Sequence, residues 1–184
     1  MNLLVDFLCR FSFGLAVALC ITPSMLVPSG FFRVNTLVLL GLTTFAALLS
    51  STLGLSVNTW LLSIAAIVAW FGSVLWYADR RLAGLVCSGI VATLCGVVTV
   101  QVGEPTITQA GVRILSGCLI GFTLNAMLLG HWYLNAPGMR VDVLRCSIDQ
   151  TLFVWGLLFC RVVTMVIWYF STAEHTYRTL ASNV

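Results

Sequence analysis

The sequence predicts an all-α protein, a polytopic integral membrane chain folded as a single bundle of about six transmembrane helices, and three observations carry that reading. Only 8% of the 184 residues are charged and 60% are hydrophobic, with a mean hydropathy of +1.04. Soluble domains carry roughly 25% charged residues, because a surface in water has to be covered with polar groups, so this composition is suited to lipid. The apolar residues gather into six runs of the roughly 20 residues that cross a bilayer as one helix. No stretch outside these runs exceeds about a dozen residues, so residues 1–184 read as one transmembrane helical domain.

The first run, residues 3–21, is expected to stay in the protein as a helix. Asp6 precedes the first positive charge and Arg10 lies inside the apolar run, which is not how a cleaved secretory leader begins. Leu19 before Cys20 also departs from the small residue that precedes a lipid-modified cysteine. Pro23, Pro28 and Gly30 then break the chain ahead of helix two, 34–50. Ser50 to Asn58 leads to helix three, 58–78, and Asp79-Arg80-Arg81 separates it from helix four, 83–100. Glu104-Pro105 precedes helix five, 112–134, which ends at Asn135-Ala136-Pro137-Gly138. Ser147-Ile148-Asp149-Gln150 fits a capping box, in which the Ser and Gln side chains satisfy each other's backbone N–H groups, and so places the start of helix six, 149–171. Helices two and four are the shortest, and a five-helix arrangement with one re-entrant segment remains open.

Arginines in the loops predict orientation, because basic residues are retained on the cytoplasmic side. Loops one, three and five hold Arg33, Arg80, Arg81, Arg140 and Arg145, against Arg113 and Arg178 on the other side, so both termini are expected to be non-cytoplasmic. All nine basic residues are arginines scattered along the chain, which gives no support to nucleic-acid binding. The expected partners are the lipid bilayer and other membrane subunits or a second copy. The seven cysteines contain no C-x-x-C pair and six lie in apolar runs, where Cys acts as a small hydrophobe.

The sharpest polar feature is Arg161, near the middle of helix six. A charge at that depth costs at least about 2.5 kcal/mol on insertion scales, so it must face protein or water. Counting from the outer end of helix five puts Asn125 near the same level, and Asp6 and Arg10, four apart on helix one, share a face and can neutralise each other. Two readings are open: a buried polar site that takes an anion, a quinone carbonyl or a haem propionate, or a clamp between helices satisfied by Asn125 and backbone carbonyls. His131 is the one histidine near membrane depth and a candidate haem or quinone contact, while His175 follows helix six at the opposite side, so the two cannot ligate one haem. The residues fix no cofactor, and no metal-ligand set is recognisable. Gly84, Ser88, Ala92 and Gly96 recur every four residues, as do Gly117 and Gly121, a spacing that lets helices in lipid approach closely.

No H-E-x-x-H, G-x-S-x-G or Gly-rich phosphate loop is found, nor a pair of intramembrane carboxylates, so catalysis by this chain alone is not expected. The preferred function is a non-enzymatic membrane subunit or anchor, with a respiratory or redox assembly as one setting. The alternative is a transporter of small solutes or ions built around Arg161 and Asn125.

Overall fold

The computed structural model describes residues 2–54, 56–101, 107–135 and 141–181. They form six helices: α1 (Asn2–Ile21), α2 (Ser29–Thr52), α3 (Ser56–Tyr77), α4 (Arg81–Gln101), α5 (Ile107–Asn135) and α6 (Val141–Ala181). All six are long and apolar enough to cross a membrane, which makes the chain a multi-pass membrane protein.

Besides α5, which begins at Ile107 instead of 112, two helices begin well before the sequence expectation. α2 starts at Ser29 directly after Pro28, whose fixed φ of −59° suits the position before a first helical turn, so Arg33 is helical and not in a loop. Its guanidinium lies 4.7 Å from the centroid of the Tyr77 ring, a cation–π contact between the start of α2 and the end of α3. α6 starts at Val141, so the Ser147 capping box does not open it, and Gln150 is turned into the bundle instead of back onto its own helix. Both differences have one cause: charged residues end an apolar run without ending a helix.

The helix ends use local chemistry. Asp79 takes φ of 53°, the left-handed conformation that Asp tolerates better than most residues, and ends α3 as a Schellman turn. The Arg80 N–H reaches the Leu75 carbonyl at 2.9 Å and the Asp79 N–H the Trp76 carbonyl at 3.2 Å, so two orphan carbonyls are satisfied. Gly54, with φ of +72°, closes α2 in the same region of backbone space.

α1 is the centre of the assembly, touching α2, α4 and α5, while α3 bridges α2 and α4. Half of the membrane-spanning window of α1 is buried, against 6% for α6, whose one extensive neighbour is α5. Aromatic rings fill the end of the bundle where α1 stops: Phe32 stacks on Trp76 at 4.3 Å, and Phe31 meets Phe32 and Trp132 edge-on.

The small residues of α4 and α5 do different things. Gly84, Ser88 and Ala92 are buried, but a methyl at Gly84 would lie 2.5 Å from the Trp76 ring and one at Gly96 3.2 Å from the Phe13 ring. At those two α4 glycines the missing side chain makes room for an aromatic ring. The close backbone approach belongs to α1 and α5, which run parallel. A methyl at Gly14 would overlap the Gly117 carbonyl, one at Gly121 would fall on the Gly14 main chain, and one at Gly117 would stand 2.7 Å from the Arg10 carbonyl oxygen.

Candidate functional site

Two polar clusters, the first half-buried and the second buried, stand along the seam of α1 with α5, at opposite ends of it. The first joins Asp6 and Arg10 of α1 to Arg113 and Ser116 of α5. Residues four apart share a helix face, so Arg10 grips Asp6 in a fork: Nε donates to Oδ1 at 3.0 Å and Nη2 to Oδ2. Arg10 Nη1 also donates to Ser116 Oγ at 3.4 Å, and Ser116 Oγ donates to the Arg113 carbonyl at 2.9 Å. Arg113 Nη1 lies 3.8 Å from Asp6 Oδ1, too far for a hydrogen bond, and is buried without one. Two guanidinium groups thus share one carboxylate, and the cluster carries one net positive charge. Burial is substantial, the side chains keeping 13% (Asp6), 23% (Arg10) and 17% (Arg113) of their exposure.

The second cluster joins three helical segments through amides and a hydroxyl. Pro23 cannot continue α1, and the chain turns with Leu26 N–H on the Pro23 carbonyl at 3.1 Å, while Arg81 Nη1 ties the turn down by donating to the Ser24 carbonyl at 2.8 Å. This fixes Thr22, whose hydroxyl donates to the Ala18 carbonyl at 2.8 Å. Thr22 Oγ1 accepts from Asn125 Nδ2 at 3.0 Å and from Gln150 Nε2 at 2.8 Å, and Asn125 Nδ2 also donates to Gln150 Oε1 at 2.7 Å. All three side chains are buried, and Asn125 Oδ1 has no donor. A buried carbonyl left unmet costs about 1–3 kcal/mol, so this oxygen is a point of unused affinity.

Over Gln150 lies a cleft of about 560 Å³ between the end of α1, α5 and α6. Ile21, Leu26, Phe122 and Phe153 form apolar walls, and Arg145 and Asp149 stand at its exposed rim. Cys146 also lines it; burial, and then the Asp149 carboxylate, push its thiol above the ordinary value, so it remains protonated at neutral pH.

These positions correct the expected pairing of Arg161 with Asn125. Phe122 packs on Phe153 with ring centroids 4.9 Å apart, and Asn125 meets Gln150, which together fix the antiparallel register of α5 and α6. Arg161 lies eleven residues beyond Gln150, beside the turn around Ile114 and about 16 Å along the axis from Asn125. It therefore stands at the level of the Asp6 cluster. Arg161 is half-buried, and among the described residues its guanidinium has no hydrogen-bond or ion-pair partner. His131 is exposed in the last turns of α5, and residue 175 lies in the last turns of α6 at the opposite end of the bundle. Among the described residues no group of three His, Cys, Asp or Glu could hold a metal ion, and none of the seven cysteines is in a disulfide.

The pairing of Asp6 with Arg10 follows from their spacing alone. Arg113, Ser116, Thr22 and Gln150 do not, because each meets its partner across more than 20 residues of sequence, and Gln150 had another use in the capping box. Distance from a helix end does not mark them as partners either, since Thr22 lies one residue past the end of α1, Asn125 ten residues before the end of α5 and Gln150 nine residues into α6. Comparison with protein-family models, curated proteins and solved structures finds no match to this chain.

Proposed function

We propose that the chain is a non-catalytic subunit of a larger membrane assembly and that α6 is its contact with a partner membrane protein carrying a carboxylate. The observation behind this reading is Arg161: a guanidinium has five donors and no acceptor, it stands at membrane depth, and no acceptor among the described residues reaches it. Its helix is supported mainly by α5, and exposes Trp155, Phe159, Val162 and Met165 around the charge. In lipid, apolar residues need no cover; an unmatched charge does. A second copy would bring another Arg161 to the same level, so a different protein suits the charge better. Arg161 stands about 16 Å along the helix axis from Asn125, which favours the subunit reading over a transporter built around that pair.

Purification in mild detergent tests the proposal. The wild type is expected to elute with a partner, in a species larger than the 20.0 kDa chain in its micelle, and Arg161→Met to elute alone with unchanged helicity. Co-purification that survives Arg161→Met, or a wild type that elutes alone, would overturn it.

The same reading sets both termini on the non-cytoplasmic side, supported by Arg80, Arg81 and Arg145 at the end of the bundle where α1 stops. In a background without native cysteines, Arg80→Cys should react only with a cytoplasmic probe and Ser51→Cys only with an external one. The opposite pattern inverts the orientation.

A further inference from the structure

We infer that the cleft between α1, α5 and α6 binds a phospholipid with a primary-amine headgroup. Its position is the first argument. The cleft includes Ile21, the last residue of the α1 span, and residues on both sides of Ile148, the first of the α6 span. Its mouth therefore lies at the edge of the hydrocarbon region, where phosphates and esters sit. A soluble solute would not need the apolar walls, and a hydrocarbon would not need the polar floor.

The polar groups select the headgroup. Arg145 and Asp149 are four apart on α6 and share a face, and among the described residues neither has an ion-pair partner. They offer one positive and one negative charge about one helical turn apart, the complement of a phosphate linked to an ammonium. An anionic headgroup without an amine would satisfy Arg145 and meet Asp149 as a like charge. A quaternary amine would bring Asp149 no N–H donor. Below the rim, Gln150 has spent one Nε2 hydrogen on Thr22, which leaves the second for an ester carbonyl of the lipid. Its Oε1, already accepting from Asn125, keeps a lone pair for a glycerol hydroxyl where one acyl chain is missing. Phe122 and Phe153, in contact at 4.9 Å, then line the course of an acyl chain toward the bilayer interior.

The test is independent of Arg161, which lies about 16 Å along α6 from Gln150. Detergent-purified protein is exchanged into micelles doped equally with phosphatidylethanolamine, phosphatidylcholine and phosphatidylglycerol, and retained lipid is read by native mass spectrometry. Phosphatidylethanolamine should be retained about fivefold over each of the others, the effect of the one charge contact, at Asp149, that the other two headgroups lack. The double variant Arg145→Gln with Asp149→Asn, both at exposed positions, should fold as the wild type and lose that preference. Gln150→Leu should lower retention of all three lipids. Equal retention by the wild type, or a preference untouched by the double variant, would overturn the inference. Free phosphoethanolamine should not displace the lipid, and displacement by the headgroup alone would show that the site takes a soluble zwitterion instead.

Discussion

Gly121→Leu should prevent α1 and α5 from seating on each other, and of all single substitutions in the bundle it should cost the most. Where Gly121 meets α1, the neighbour is main chain: the added carbon falls on the backbone of Gly14 and the amide of Leu15. Overpacked cores usually relax by moving side chains, at a cost of about 1–3 kcal/mol. Backbone cannot swing aside, so here the two helices must part and the loss should exceed about 3 kcal/mol. Separation would also pull Asn125 from Thr22 and Arg113 from Asp6, since all four residues lie on the same seam. Thermal unfolding in detergent checks it. Gly156→Ala is the control, because nothing lies within 4 Å of a methyl there, and it should be neutral or slightly stabilising. Equal midpoints for Gly121→Leu and the wild type would mean that α1 and α5 do not meet through these glycines.

The same seam explains what could and could not be read from the sequence. Six helices were legible because the bilayer imposes a length, and a run of about 20 apolar residues is hard to use otherwise. The ends were less legible. Arg33 and Arg145 break apolar runs, yet both are helical, since a helix leaving the hydrocarbon meets water that tolerates charge. The pair Asp6 and Arg10 was legible because helical periodicity alone brings them together. Its third member was not: Arg113 stands near the outer end of helix five with no neighbour its spacing could name, and only the parallel packing of α1 on α5 brings it to Asp6. The Arg161–Asn125 pairing rested on a count from the outer end of helix five, which begins at Ile107, five residues earlier than the apolar run implied. The small-residue spacing told that something approaches closely, and could not tell a ring from a backbone.

Asp6→Asn should destabilise the protein by about 3 kcal/mol, because it leaves Arg10 and Arg113 facing each other with no counter-charge. The figure is at the lower end of what breaking a buried ion pair costs, since Arg10 keeps 23% of its exposure and can recruit some water. Asparagine has nearly the shape of aspartate, so packing is held constant and the change reads electrostatics. Added salt should give little rescue, as screening acts less on charges that are mostly buried. A second change separates the two cations. Arg113→Met in the Asp6→Asn background removes the guanidinium whose Nη1 is buried without a hydrogen bond, and should recover part of the loss. In the wild-type background Arg113→Met should be nearly neutral, because Arg10 alone holds the carboxylate through both of its oxygens. Thermal midpoints of the four proteins close a double-mutant cycle in which the coupling of Asp6 with Arg113 is smaller than that measured in the same way with Arg10→Met. Should Asp6→Asn unfold at the wild-type midpoint at low salt, the cluster would be hydrated in the membrane, and the single carboxylate would not be what holds two arginines inside this bundle.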